Sequence, residues 1–139
     1  MRVVLDTNVL VAAFAAQGLC HLVFELCLDR HEIVLSEHIL KEVADNLEKK
    51  LKVPGKIASD IMSALREHTL VQEVEPLKER VCRDLDDDWI LALARQSMSN
   101  YIITGDEDLL VLREYSSVPI VSPRRFWGIL RESEERTPE

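Results

Sequence analysis

Four carboxylate side chains stand at positions where a metal-dependent reaction could be built. Asp6 directly follows a short apolar run, and Asp106 follows a second one, YIITG. Glu42 and Asp88 lie near the starts of two predicted helices. Carboxylates gathered at one place repel one another, and a divalent cation converts that repulsion into binding. These four residues are therefore the candidate metal ligands and catalytic groups.

Oxygen ligands of this kind suit Mg²⁺ or Mn²⁺, one or two of which activate water for attack on a phosphodiester. Other catalytic classes have less support. The three cysteines form no C-x-x-C pair, the four histidines show no H-x-x-x-H spacing, and no Ser-His-Asp or Cys-His arrangement is convincing. The residues by themselves thus indicate metal-dependent phosphoryl chemistry without a side-chain nucleophile.

The net charge limits how the chain can meet nucleic acid. A formal charge of −8 repels phosphates at long range, which excludes binding through a broad basic surface. Two local basic clusters exist, and charge runs of this kind are more often solvated faces than RNA contacts. They are formed by Lys49, Lys50, Lys52 and Lys56, and by Arg124 and Arg125.

The elements that must position the acids alternate between strand-like and helix-like segments. Five short β-rich runs separated by helical periodicity predict a three-layer α/β/α domain with a central, mostly parallel sheet of four to five strands. The predicted strands are residues 3–6, 32–36, 101–105 and 118–122, with a short one at 71–74. Ligands of such sheets bind at the carboxyl ends of the strands, where Asp6 and Asp106 are expected to lie.

The predicted helices carry the remaining acids. Ser36 is a plausible N-cap for the helix of Glu42, which Pro54-Gly55 ends, and residues 86–98 form the helix of Asp88. Further helices are predicted around residues 19–27, 57–65 and 106–114, and from Ser122-Pro123 onward.

At 139 residues the length indicates one domain, placed at 1–131, with a flexible tail at 132–139. The longest apolar run, at 9–16, is too short for a membrane span, and no signal peptide is visible, so a cytoplasmic location is expected.

Each acid also has a simpler interpretation. Asp86, Asp87 and Asp88 can cap and charge a helix N-terminus, and Glu42 can be a solvated helix residue. Asp6 is harder to explain structurally, because it is joined to an apolar strand end and followed by another apolar run.

Five sequence strings in this order resemble one family, the PIN-domain ribonucleases, and within it the VapC-like toxins of toxin–antitoxin pairs. The strings are DTNVLV from Asp6, SEHILKEV around Glu42, DDDWILALA at Asp86–Ala94, ITGDEDLL at Ile103–Leu110 and PIVSPRRF at Pro119–Phe126. The resemblance implies a PIN fold, endonucleolytic cleavage of RNA with Mg²⁺ or Mn²⁺, a small antitoxin partner and a homodimer. The apolar residues of the early helices are candidates for the dimer interface or for ordinary core.

The resemblance also assigns roles to individual residues. It implies that Asp6, Glu42, Asp88 and Asp106 are metal ligands and catalytic residues. Asp108 matches a further metal-binding acid, and Asn8 and Thr104 match supporting polar positions.

Two departures from the family pattern bear on these roles. No proline follows Asp84, so the register of the acidic run is open and Asp87 can share the role given to Asp88. Gly105 stands where many relatives carry a basic residue, which removes one phosphate contact.

Three alternatives remain open at this point. A non-catalytic PIN-like binding module would keep the fold without the metal. A haloacid-dehalogenase-like phosphatase also places an aspartate after the first strand, but it needs a second one where Asn8 stands. In the third alternative the acids are all helix caps of a helix-packing protein.

Overall fold

The computed structural model describes residues 1–136, with side chains through residue 133. The strands are β1 (Arg2–Leu5), β2 (Glu32–Leu35), β3 (Leu70–Val71), β4 (Tyr101–Ile103), β5 (Glu114–Tyr115) and β6 (Val118–Val121). The helices are α1 (Thr7–Ala15), α2 (Leu19–Arg30), α3 (Glu37–Lys49), α4 (Gly55–His68), α5 (Leu85–Gln96), α6 (Glu107–Leu110) and α7 (Pro123–Arg136). Helices and strands alternate along much of the chain, which confirms the predicted α/β class.

The central sheet has the order β3-β2-β1-β4-β6-β5. All neighbouring strands are parallel except β5, which pairs antiparallel with β6. The chain leaves β1 toward β2 and β3 on one side and returns to β4 and β6 on the other. The boundary between β1 and β4 is therefore the switch point in strand order. The segments that leave the carboxyl ends of these two strands run to opposite sides, and a crevice remains between them.

The sheet has one strand more than the upper limit of the prediction. The additional strand, β5, forms a hairpin with β6 through Ser116 and Ser117, whose φ angles are 51° and 67°. Two consecutive positive φ angles are typical of the tight hairpin turns that usually carry asparagine and glycine. A Ser-Ser turn lacks that signal, so the sequence did not reveal the hairpin.

Helix α1 was also not predicted. It begins immediately after Asp6 and contains the apolar run that follows, with Val9, Leu10 and Ala13 buried. Because nearly every residue of this segment is apolar, no 3.6-residue alternation distinguishes a helix from a buried strand. The short helix consequently places Thr7 and Asn8 beside the end of β1.

The core lies on both faces of the sheet. Strand residues such as Val4, Val34 and Ile102 are fully buried, as expected for parallel strands covered by helices on each side. The largest fully buried side chain, Phe126, comes from α7 and lies near Tyr101, with ring centroids 5.5 Å apart. The rigid sheet therefore holds fixed the strand ends from which the acids project.

The last helix begins as predicted, because the Ser122 hydroxyl accepts a hydrogen bond from the Arg125 N–H at 3.1 Å. It extends to Arg136, so residues 132–136 of the predicted tail are helical, and residues 137–139 lie outside the described part. Within residues 1–136 no single helix is long and apolar enough to cross a membrane. Only α1 and α2, bent by 106°, meet that test when they are taken together.

Candidate active site

A cavity of about 370 Å³ opens at the carboxyl edge of the sheet, where β1 and β4 end. Six carboxylate side chains line it, and among the described residues Lys50 is the one cation in its wall. The six are Asp6, Glu42, Asp84, Asp86, Asp87 and Asp106. The strand ends and helix starts that the sequence singled out thus meet at one place.

Asp6 lies at the floor of this cavity and is 8% exposed. One carboxylate oxygen accepts a hydrogen bond from the Thr7 N–H at 2.7 Å, and the other accepts one from the Thr104 hydroxyl at 2.7 Å. Burial raises the pKa of Asp6, while these two hydrogen bonds favour its charged form and the negative charge of Asp106 disfavours it. The side chain is thereby oriented but electrostatically uncompensated.

Thr104 connects the ends of β1 and β4. Its side chain is fully buried, and its hydroxyl donates to Asp6 while accepting the N–H of Asp106 at 3.0 Å. On the outer side of the same loop, Asn8 accepts a hydrogen bond from the Gly105 N–H at 3.5 Å and lines the cavity. Both residues lie where the family resemblance expects supporting polar groups.

Glu42 reaches the cavity from α3. The helix starts where β2 ends, with the Ser36 hydroxyl accepting the Ile39 N–H at 3.2 Å, and this start fixes the position of the second turn. Glu42 accepts a hydrogen bond from the Thr7 hydroxyl at 3.0 Å. Burial raises the pKa of Glu42, the Thr7 hydroxyl opposes that change, and the charge of Asp86 adds to it.

Asp88 does not reach the cavity, contrary to the sequence expectation. Its carboxylate accepts hydrogen bonds from the backbone N–H of Cys82 at 2.8 Å and of Val81 at 3.3 Å. It therefore anchors the segment that precedes α5. The helix turns about 100° per residue, so Asp88 projects away from the direction of Asp87 and toward the segment that precedes α5.

Asp87 occupies the place expected for Asp88. It is 6% exposed and lines the cavity, and its Oδ2 atom has no hydrogen-bond partner within residues 1–136. Burial, together with the nearby carboxylate of Asp106, raises the pKa of Asp87 to about 7. A buried acceptor without a partner is costly in a folded protein, which makes this oxygen a strong candidate for a cation ligand.

Asp106 and Asp108 differ in what surrounds them. Asp106 caps α6 by accepting the N–H of Asp108 at 2.9 Å and lines the cavity. Asp108 is half-exposed and accepts a hydrogen bond from Arg83 at 2.7 Å. One carboxylate oxygen from each of Asp87, Asp106 and Asp108 nevertheless lies within 4.8 Å of the others.

The donor set fits a hard divalent cation. The side-chain donors that converge between β1 and β4 are carboxylate and hydroxyl oxygens together with the amide of Asn8, and Mg²⁺ and Mn²⁺ prefer oxygen ligands. The polar residues of the cavity that the sequence did not assign to the site are Thr7, Asn46, Lys50, Asp84 and Asp86. Thr7 carried no signal of its own, and Lys50 belonged to a basic cluster without an assigned position, although it follows Glu42 by two helical turns.

Comparison with known proteins bears on the family. The PIN domain family model matches residues 2–108. No curated protein sequence matches the chain significantly.

Two solved structures share the fold. The structure of VapBC2 from Rickettsia felis bound to a DNA fragment from their promoter aligns with a TM-score of 0.63 at 13% identity, covering 88% of this chain and 98% of that one. VapC20 from Mycobacterium tuberculosis, a sarcin–ricin loop cleaving toxin, aligns with a TM-score of 0.58 at 18% identity, covering 84% and 98%.

At these identities the structures establish similarity of fold, and the family assignment rests on the sequence model, which spans most of the chain. The sheet order and the acids at its switch point are consistent with this match. The match shows that the chain belongs to the PIN domain family.

Proposed function

We propose that this protein is a metal-dependent endoribonuclease that hydrolyses RNA phosphodiesters with Mg²⁺ or Mn²⁺. The observation that carries the proposal is the buried, unpartnered oxygen of Asp87, a residue that lines a cavity together with five other carboxylates. Such a concentration of negative charge opposes folding unless a cation compensates it. A cavity built this way serves ion binding rather than stability.

Asp6, Asp87 and Asp106 are the proposed metal ligands, with Glu42 completing the set from α3. When bound, the metal supplies an activated water and stabilises charge on the phosphodiester in the transition state. The chain itself supplies the orientation of the ligands. The Thr104 hydroxyl holds Asp6 and the backbone of Asp106, and the Thr7 hydroxyl holds Glu42.

Lys50 is the proposed contact for substrate phosphate at the rim of the cavity. It is the cation that the described residues place in the cavity wall, and the overall charge of −8 otherwise repels RNA. A single lysine at the rim can bind a phosphate next to the acids without neutralising them. The proposed RNA path therefore crosses the cavity from α3 toward α6.

The biological setting that we propose is a toxin–antitoxin pair. It is supported by the fold shared with VapC20, described as a toxin that cleaves the sarcin–ricin loop, and with the VapBC2 structure. A small antitoxin, a homodimer and a cytoplasmic location belong to this proposal. The phosphatase alternative loses its basis, because the chain belongs to the PIN domain family and Asn8 stands at the position of the required second aspartate.

Cleavage of end-labelled RNA tests the proposal. The protein should cut in Mg²⁺ or Mn²⁺ and stop in chelator, and Asp6→Asn should abolish cutting. Asp45→Asn is the matched control, since it removes the same charge from an exposed position of α3. Cutting that persists in chelator, or equal cutting by both variants, contradicts the mechanism. A folded protein that binds Mn²⁺ without cutting any RNA supports the non-catalytic binding module.

A further inference from the structure

A second group of ligand atoms lies at one wall of the carboxylate cavity and includes a histidine. His38 and Glu42 are four residues apart on α3, so their side chains share one face of the helix. Asp86 approaches from the first turn of α5. The distance from His38 Nε2 to Asp86 Oδ1 is 2.9 Å, and that to Glu42 Oε1 is 3.6 Å. Two ligands from one helix and a third from another are a common arrangement for a metal site.

The contact between His38 and Asp86 lacks the geometry of a hydrogen bond. The Nε2 atom is buried, although the side chain is 31% exposed, and among the described residues it has no hydrogen-bond partner. The carboxylate oxygen is close to the nitrogen but lies off the axis of its N–H bond. Two atoms that bind one ion at about 2.1 Å, with an angle of about 90° at the ion, lie about 3 Å apart. The oxygen then lies off the axis of the nitrogen lone pair, as Asp86 does here.

We propose that His38, Glu42 and Asp86 form a binding site for a divalent transition-metal ion. An imidazole nitrogen favours ions such as Co²⁺ or Zn²⁺ over Mg²⁺, which prefers oxygen ligands. The site differs in metal preference from the all-oxygen ligand set proposed above, with which it shares Glu42. It does not depend on the nuclease proposal, because ion binding here requires no RNA chemistry.

The molecule contains its own reporter of this site. The ring of Trp89 stacks on His38, with centroids 5.9 Å apart and an angle of 29° between the planes. Bound Co²⁺ quenches nearby tryptophan fluorescence. The chain has two tryptophans, so Trp127→Phe leaves Trp89 as the sole emitter.

The test is a Co²⁺ titration of the Trp127→Phe protein in millimolar Mg²⁺, which fills the oxygen site. We expect saturable quenching that His38→Gln weakens at least about tenfold, since loss of an outer-shell partner alone costs about 10–100-fold in affinity. Asp86→Asn, at a side chain that is 52% exposed, should weaken it similarly. Asp87→Asn should weaken it less than His38→Gln does, because Asp87 is not one of the three proposed ligands.

His21→Gln is the matched control. His21 and Glu25 form another pair four residues apart, at 3.9 Å, with a similarly exposed imidazole, and no third ligand joins them in the part of the chain that the structure describes. The variant should bind Co²⁺ like the parent. The proposal is overturned by an absence of saturable quenching, or by unchanged affinity in His38→Gln or Asp86→Asn. None of these outcomes bears on whether the protein cuts RNA.

Discussion

The amino ends and the carboxyl ends of the central strands differ in how far their charged side chains are paired. At the amino edge, Arg2 pairs with Glu32 at 2.6 Å and donates to the Ser97 carbonyl at 3.0 Å. At the carboxyl edge, six carboxylates share a cavity with one lysine. The first arrangement compensates its charges within the chain, whereas the second leaves a net negative charge. The comparison shows that uncompensated negative charge is concentrated at the carboxyl edge.

The contrast is sharpest between two adjacent residues of α5. Asp87 faces the cavity with an unpartnered oxygen, while the carboxylate of Asp88 is satisfied by two backbone N–H groups. Asp87→Asn should therefore reduce RNA cleavage more than about 100-fold, because a metal ligand matters more than the outer-shell partners whose loss costs about 10–100-fold. Asp88→Asn should reduce it less than about tenfold, since an amide oxygen still accepts those hydrogen bonds. Initial cleavage rates in Mn²⁺ measure both.

The order of these two variants decides the register of the acidic run. If Asp88→Asn were the more damaging change at equal thermal stability, the ligand assignment from α5 would be wrong. Thermal melting of each variant provides the control, because a loss of fold would lower both rates for an unrelated reason.

The carboxyl edge should also make the metal-free protein sensitive to pH. The pKa of Asp87 is about 7 in the folded state against an ordinary value of 3.8. Between these values the folded state keeps a proton that the unfolded chain has released, so the free energy of unfolding falls as pH rises. Asp87→Asn should remove this fall. In chelator at about pH 8 it should also raise the melting temperature by a few degrees, because a change of about 1 kcal/mol shifts the melting temperature of a domain of about 150–250 residues by about 2–4 °C.

Melting curves in chelator at about pH 5 and about pH 8 test this linkage. Saturating Mg²⁺ should raise the melting temperature of the parent at the higher pH, because an ion that binds only the folded state stabilises it. A parent protein that is equally stable at both pH values in chelator would show that the cavity does not hold Asp87 protonated.

The smallest effect is expected at the amino edge. The side chains of Arg2 and Glu32 are 44% and 48% exposed, so their ion pair contributes about 0–1 kcal/mol. Arg2→Gln should lower the free energy of unfolding by no more than about that amount and leave RNA cleavage unchanged. Urea denaturation and the cleavage assay measure the two quantities. A loss of cleavage without a loss of stability would mean that the two edges are coupled.

Much of this organisation was accessible from sequence. Apolar runs that end in an acid indicated strand ends, and Ser36 indicated a helix start, because both signals are local. The choice between Asp87 and Asp88 was not local. It depends on how α5 is rotated about its axis in the packed domain, where Asp88 accepts hydrogen bonds from the backbone N–H groups of Cys82 and Val81.

The approach of His38 to Asp86 could not be predicted from sequence either. The two residues are 48 positions apart, and their helices meet only in the tertiary fold. Helix α1 escaped prediction for a different reason. Its residues are apolar on nearly all sides, so hydrophobic periodicity carried no information there.

The hydrogen bond from Thr104 to Asp6 joins residues that are 98 positions apart. During synthesis the amino-terminal part emerges first, and a growing chain of 100 residues contains neither Thr104 nor Asp106. Strand β1 then still lacks its neighbour β4, whose pairing closes a long loop late in folding. The acidic cavity is therefore completed only when most of the chain has left the ribosome, and a nascent fragment carries Asp6 and Glu42 without the assembled cavity.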